Sequence, residues 1–405
     1  MNILFHHRTR GKGAEGVHIR GVTKGLRQLG HTVSILSLPG AEPEAEEQAA
    51  PAKTPSPGAT PAPSADKKAK PSAAAKLADA TKYVPEFVFE LIEILFNLIS
   101  VFRVRKAVRQ HNAQAIYERY SLFLFSTVWW AKRHNIPVVL EINDSCLVHR
   151  VRPLFFKGLA RRFERWIFQN ATGLVFISTQ FKTTAEKGYG TIAPCVVSPN
   201  GADLDAFQPD DSRRQALRKQ LNIDDKLVLG YVGAFVHWHG IDWFVEEVAS
   251  RLKAHPNLVL LLVGDGVCFE PIKALVETHD IQDQVLLPGR VPHHLIADYI
   301  GAMDYGILPD SNDYGSPMKL FEFMAMAKGM VAPDFSPVAE VVKDGETSWL
   351  FPAGDRKACI EKTLSLASER AALDTVGANA RRYIEQERQW RHNAEQLMTL
   401  IENAS

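Results

Sequence analysis

The stretch 226–242, "KLVLGYVGAFVHWHGID", reads as a buried strand, a glycine turn and the start of a helix. It restarts a pattern that has already run once. Before it come the apolar runs "NILFHH", "HTVSILSL", "AIYERYS", "IPVVLEIND", "GLVFIST" and "APCVVSPNGAD", and after it "LVLLLVGDG", "VLLPGRV", "YGILPD", "MVAP" and "SWLFP". Helical stretches separate them. Near-continuous apolar strands alternating with helices predict a parallel sheet covered on both faces. The restart therefore predicts two doubly wound α/β domains in series, joined around residues 207–214. A chain of 405 residues is long enough for two such cores. Ligands of these sheets bind beyond the carboxyl ends of the strands. The loops after "ILFHH", "VVLEIND", "GYVGAF", "LLVGDG" and "GILPD" are thus expected around one site, in a cleft between facing domains.

Composition excludes several classes of function. Lys and Arg total 47 against 46 Asp and Glu, a net charge of +1, so no global field draws the chain to nucleic acid. Cys146, Cys195, Cys268 and Cys359 lie far apart with no C-x-x-C, which predicts a reducing compartment and no metal cluster. "MNILFHHRTR" lacks the basic and apolar regions of a secretory signal, so the cytoplasm is expected. The segment 39–82, rich in Ala, Pro, Lys and Glu, cannot bury enough surface to offset its ordering entropy and is expected to be a disordered insertion.

Near the start, Gly11, Gly13 and Gly16 spell G-x-G-x-x-G between a strand and a helix. A dinucleotide fold also needs an acid at the end of the second strand, but that strand ends "ILSLPG" and the first acid is Glu42. The NAD reading fails. Glycines at a helix N-terminus still suit an anion.

Two stretches join apolar and basic residues. In 84–109, Glu86, Glu90 and Glu93 interrupt an apolar run that ends in Arg103, Arg105, Lys106 and Arg109; it reads as a core helix, or as one that also touches a bilayer. In 150–168, Arg150, Arg152, Lys157, Arg161, Arg162 and Arg165 surround Phe155, Phe156, Trp166 and Phe168. That composition suits anionic lipid at the inner membrane face, and equally a solvated helix packed through its aromatics.

The order of motifs is more specific than any one of them. "GKGAEGVHIRGVTKGLRQLGHTVSIL", "NGAD", "YVGAFVHWHGID", "LVGDG", "SPMKLFEFMAMAKGMVAP" and "WRHNAEQLMTLI" together resemble the family 4 retaining glycosyltransferases of the GT-B fold. The resemblance implies an acceptor-side domain over 1–207, a nucleotide-sugar donor domain over 208–385, and a C-terminal helix over 386–405 that crosses back. It implies transfer of a sugar from a nucleotide diphosphate to an acceptor, lipid-linked or glycan, in cell-surface polysaccharide or glycolipid synthesis, with no cofactor and no metal. Alternatives are a nucleotide-sugar epimerase of similar architecture and a catalytically silent partner.

Carried onto this chain, Glu322 matches the second Glu of the family's E-x7-E motif and is implied to contact the donor ribose. Lys319, one turn earlier, would meet the diphosphate, and Ser316, Pro317 and Met318 would open the helix toward it. Gly264, Asp265 and Gly266 resemble the G-D-G turn near the nucleotide; Arg290 and Val291 match the stretch that meets the base. Gly13 and Glu15 resemble the G-x-E loop, with Gly13 toward the donor. Two departures stand out. The first Glu of E-x7-E falls at Tyr314, with Asp313 beside it as the substitute. The usual diphosphate Arg and Lys are replaced by Ala234 and His239 after Gly233, with His237 close by. On the acceptor side, Glu15 is expected in the first loop and Glu118, Arg119, Asn143, Asp144 and His149 at the strand ends, with Glu118 and Arg119 read as a buried ion pair or as acceptor ligands.

Overall fold

The computed structural model describes residues 1–9, 11, 13–38, 84–150 and 152–403. The insertion expected over 39–82 lies outside them, as does Arg10.

The described residues form two units. Unit 1 comprises Met1–Phe176, Thr184–Val196 and Ala394–Ser405; unit 2 comprises Ile177–Thr183 and Val197–Asn393. Each contains one six-stranded sheet with parallel pairing, as the apolar runs predict.

Unit 1 is built from β1 (Asn2–His6), α1 (Ala14–Gln28), β2 (Thr32–Leu36), α2 (Glu86–His111), β3 (Ala115–Arg119), α3 (Ser126–Arg133), β4 (Val138–Ile142), α4 (Lys157–Asn170), β5 (Gly173–Phe176) and β6 (Cys195–Val197). Its strand order is β2-β1-β3-β4-β5-β6. The connection after β1 runs to one side and that after β3 to the other, so the topological switch falls between β1 and β3. Helix α5 (Thr179–Tyr189) follows β5.

Unit 2 contains α6 (Asp211–Gln220), β7 (Leu227–Val232), α7 (Ile241–Leu252), β8 (Leu258–Val263), α8 (Phe269–Thr278), β9 (Val285–Gly289), α9 (Ile296–Ala302), β10 (Tyr305–Ile307), α10 (Met318–Ala325), β11 (Met330–Pro333), α11 (Ser336–Ala339), β12 (Trp349–Phe351), α12 (Arg356–Ser365) and α13 (Arg370–Glu387). A final helix, α14, spans Trp390–Glu402. The order β12-β11-β10-β7-β8-β9 puts the switch between β7 and β10. Strand β8, "LVLLLV", is buried at all six positions, as a central parallel strand requires. Helix α10 buries Leu320, Phe321, Phe323, Met324 and Ala325 and leaves Met318, Lys319 and Glu322 on its half-buried side. Its last turn is tied by the Arg381 guanidinium, which donates to Ala325 O and, at 2.7 Å, to Phe207 O.

One expectation holds only in part. Helix α2 packs as a core helix toward its end, where Val104, Ala107 and Val108 are buried, but over its first four turns the buried positions are Glu90, Asn97 and Ser100, whereas Leu95 and Leu98, and Phe102 beyond them, are exposed. Among the described residues, no helix is long and apolar enough to cross a membrane.

Candidate functional site

In doubly wound sheets the ligand crevice opens where the strand order reverses. In unit 2 that point lies beyond β7 and β10, and the predicted donor residues of this unit follow the strands β7, β8, β9 and β10.

The loop after β7 is held close to the turn after β8. Phe235 N donates to Asp265 O at 2.9 Å, and Cys268 N returns to Phe235 O at 3.0 Å. The approach leaves no room for side chains: a Cβ on Gly264 would stand 1.8 Å from Gly233 O, and one on Gly266 2.4 Å from Phe235 O. This is why the G-D-G turn needs both glycines. Asp265 Oδ1 accepts from Gly266 N at 2.7 Å, closing the turn on itself.

Lys319 reaches this loop from α10. Its ammonium donates to the Tyr231 hydroxyl at 3.1 Å and lies 4.3 Å from the centroid of that ring. Tyr231 OH in turn donates to Ala234 O at 2.9 Å. His239 Nδ1 is 2.8 Å from Ala234 O and 3.0 Å from Tyr231 OH. A carbonyl only accepts, so the proton is on Nδ1 and Nε2 carries a lone pair. Burial and the Lys319 charge hold His239 down to about 4, so the ring is neutral near pH 7. The expected donation from His239 to a diphosphate is therefore spent on Ala234 in this state.

Lys319 and Glu322 sit one turn apart on the half-buried side of α10. Burial pulls Lys319 down to about 7 against an opposing pull from Glu322. Burial likewise pushes Glu322 up to about 7, opposed by Lys319. The two groups are poised to change charge near neutrality.

The segment leading into α10 is fixed by residues that sequence reasoning had not assigned to it. Ser316 Oγ accepts from Asn200 N at 3.0 Å, and Ser316 O accepts from Asn200 Nδ2 at 2.6 Å. Ser178 Oγ donates to Tyr314 O at 2.6 Å, and the Tyr314 ring meets Phe181 at 5.3 Å. Pro317 caps α10 and has no N–H, so the unpaired donors of the first turn start at Met318. Asp313 is exposed in the preceding loop. Arg290 is also exposed, while Val291 packs against the buried cluster that includes Phe321 and Phe323.

His237 takes part in a different arrangement. Its Nδ1 lies 2.5 Å from Asp242 Oδ2 and 3.4 Å from Cys268 Sγ, and Asp242 Oδ1 is buried with no hydrogen-bond partner. Among the described residues this is the one His, Cys and carboxylate trio with the spacing of a metal site. Spacing along the chain hides it, since Cys268 comes from another loop.

The unit 1 candidates lie at the ends of β3 and β4 and at the start of α1. Glu118 and Arg119 are not a pair; successive strand residues face opposite ways, and each has another partner. Glu118 Oε2 lies 2.5 Å from His6 Nδ1, both buried. Arg119 meets Glu141 at 2.5 Å, and Glu141 also accepts from Tyr117 OH at 2.9 Å and from Asn143 Nδ2 at 2.7 Å. His18 lies 3.3 Å from Glu141. Burial alone would raise Glu141, but His18 and Arg119 hold it below the usual carboxylate range. Glu141 was missed in the sequence; its signal is an acid inside the apolar run "VVLEI". Asp144 Oδ2 pairs with Arg150 at 2.9 Å, and His149 is exposed in the same loop. Gly13, at φ 76°, precedes α1, with Glu15 in its first turn.

Two family profiles cover most of the chain: Glycosyltransferase Family 4 over residues 15–206 and Glycosyl transferases group 1 over 226–369. The chain is 21% identical over 265 residues to an alpha-D-kanosaminyltransferase of Streptomyces kanamyceticus, covering 63% of this chain and 68% of that protein. It is 23% identical over 250 residues to the GDP-mannose-dependent alpha-(1-6)-phosphatidylinositol monomannoside mannosyltransferase of Mycolicibacterium smegmatis, covering 60% and 65%. About a third of each relative's length thus lies outside the match. The structure of Anabaena HepE in complex with UDP superposes over the whole of both chains with a TM-score of 0.71 at 16% identity, which establishes the shared fold. Motif order, two switch-point sheets and both profiles agree: the chain belongs to the family 4 glycosyltransferases, on the GT-B fold.

Proposed function

We propose that the protein is a retaining hexosyltransferase that moves a sugar from a nucleotide diphosphate to a lipid-linked acceptor in cell-surface glycan or glycolipid synthesis. The observation that carries this reading is the Lys319 ammonium at the Gly233 loop, beside the unpaired N–H groups that begin α10. A departing diphosphate is a dianion, and a cation with helix N–H donors in a desolvated pocket favours it more as its charge develops. Glu322, on the same helix, would accept from ribose hydroxyls. The acceptor would then attack from the face the diphosphate leaves, without a protein nucleophile. Support for the substrate classes comes from relatives, one named for a GDP-mannose donor and a phosphatidylinositol mannoside acceptor, and from a fold neighbour that holds UDP. On this reading the enzyme is cytoplasmic, works at the membrane's inner face and needs no metal.

Thermal shift with UDP, GDP and their sugars tests donor binding and assigns the nucleotide. NMR of the product then reads the anomeric configuration. Absence of any nucleotide-dependent shift would overturn the reading in favour of a silent partner; an inverted product would overturn retention.

A further inference from the structure

Helix α2 is inside out over its first four turns. The buried positions there, Glu90, Asn97 and Ser100, are polar, and apolar side chains (Val104, Ala107, Val108) are buried only toward its end. Glu90 accepts from the backbone N–H of Phe155 at 2.6 Å and of Phe156 at 2.9 Å. Asn97 accepts from Phe125 N and Ser126 N, at 3.0 and 2.9 Å, and donates to Phe123 O at 2.8 Å, which caps α3. Glu93 holds Arg8 through two bonds, at 2.5 and 2.8 Å. The outward side carries Leu91, Leu95, Leu98, Ile99 and Phe102, with Leu95, Leu98 and Phe102 exposed by 61%, 65% and 68%. Turning the helix to bury this face would break every one of those polar bonds. The apolar face is therefore held outward by design of the register.

The surface does not stop at α2. The Phe87 ring packs at 5.8 Å on Phe155, itself exposed, and Trp129 and Leu159 continue the exposed patch onto α3 and α4. Between α3 and α4 lies a cavity of about 580 Å³, walled by Phe125, Trp129, Leu159 and Trp166 with Arg133 and Arg162 beside them. The Arg133 guanidinium lies over the Trp129 ring, 4.1 Å from its centroid, which leaves the edges of a fixed planar cation outward. A second cavity of about 290 Å³ shares Trp129 and Arg133 and reaches Phe102 and Arg105.

Charge decides what covers this face. Arg105, Lys106 and Arg109 on α2, and Arg161, Arg162 and Arg165 on α4, are exposed. The acids of the same helices are engaged: Glu86 by Arg152, Glu93 by Arg8, Glu90 by backbone N–H groups, and Glu164 by Ser145 and Tyr120. What remains outward is an apolar strip bordered by cations, the complement of an anionic bilayer surface.

We propose that the face formed by α2, α3 and α4 seats in an anionic bilayer with α2 in the interfacial plane, and that the groove between α3 and α4 takes a hydrocarbon chain of a phosphate-bearing lipid, its phosphate at Arg133 and Arg162. This deepens the lipid-linked reading above and rests on it only for the identity of that lipid.

Flotation of the full chain with vesicles of phosphatidylcholine alone, and of phosphatidylcholine with phosphatidylglycerol, tests the seat. The parent floats with the anionic vesicles, and Leu95→Glu/Leu98→Glu/Phe102→Glu lowers binding by about tenfold or more. Arg133→Glu/Arg162→Glu lowers the preference for anionic lipid, the other cations of the face remaining. Brominated lipid quenches the parent's tryptophan emission, and Trp129→Phe/Trp166→Phe removes that component. A parent that stays off vesicles, a triple variant that floats like the parent, or a parent that dimerises through this face in light scattering overturns the seat. Quenching unchanged in the tryptophan variant overturns the groove. Nucleotide thermal shift on the triple variant keeps the two readings apart, because the three replaced residues belong to unit 1 and donor binding is expected to persist.

Discussion

Lys319 Nζ stands 3.0 Å from the point a Cβ on Gly233 would occupy. The ammonium thus fills the space that a side chain would take in the loop after β7. That loop itself carries Ala234 and His239, and the cation beside it comes from α10.

Lys319→Ala is expected to lower kcat/KM by about 10² to 10³-fold, the usual cost of one preorganised charge donor. The melting temperature should hold, because a desolvated ammonium is removed rather than a packed core group. Transfer equal to the parent's in a radiolabelled-donor assay would refute the diphosphate role.

Gly264→Ala should damage the fold and the donor pocket together. The new methyl would meet Gly233 O at 1.8 Å, and the residue already holds φ at 151°, where L side chains are strained. A loss of roughly 1–3 kcal/mol in urea unfolding is expected, with weaker nucleotide binding. Unchanged stability would show that the two loops do not interlock.

Donor affinity should be greatest near pH 7. Above that, Lys319, lowered by burial to about 7, loses its proton and the dianion loses its cation. Below it, Glu322, raised by burial to about 7, becomes neutral and accepts less well from ribose. Calorimetric titration across pH 5.5–8.5 should give a bell, with the alkaline limb absent in Lys319→Met and the acid limb absent in Glu322→Gln. A flat profile in the parent would contradict this.

Acid should destabilise unit 1 between about pH 6.5 and 4. Burial lowers His7 and His18 to about 4, so the unfolded chain takes up their protons first. Their neutral burial contributes stability above the unfolded value near 6.5 and loses it as pH falls through the folded value, at most ~3 kcal/mol each. Urea midpoints at pH 7.5 and 5 read the effect. His18→Gln should flatten the dependence; an equally steep fall in that variant would reassign it.

Exhaustive chelation is expected to leave transfer intact. Should activity fall and zinc restore it, Cys268→Ser separates a metal at His237, Asp242 and Cys268 from one carried by the donor.

Architecture was readable from local pattern. A parallel strand buried on both faces must be apolar throughout, so "LVLLLV" and "KLVLGYV" announce themselves, and so does the second succession they begin. Glycines are equally legible where backbones meet, as at Gly264. Partners were harder to read. Glu118 and Arg119 are adjacent in the chain yet face opposite sides of the sheet, each paired with a residue from another strand. Cys268 joins His237 and Asp242 because two loops are hydrogen-bonded together, which no spacing within either loop announces.

The amino-acid sequence alone determined the two α/β units, their family and the helix that carries Lys319 and Glu322, because burial periodicity and turn chemistry act over a few residues. Tertiary structure decided which groups those residues face, and so their charge. It turned α2 apolar side outward through Glu90 and Asn97, whose partners lie 26 to 66 positions away. Helical periodicity marks a face; only the bonds made by the opposite face say which way it points.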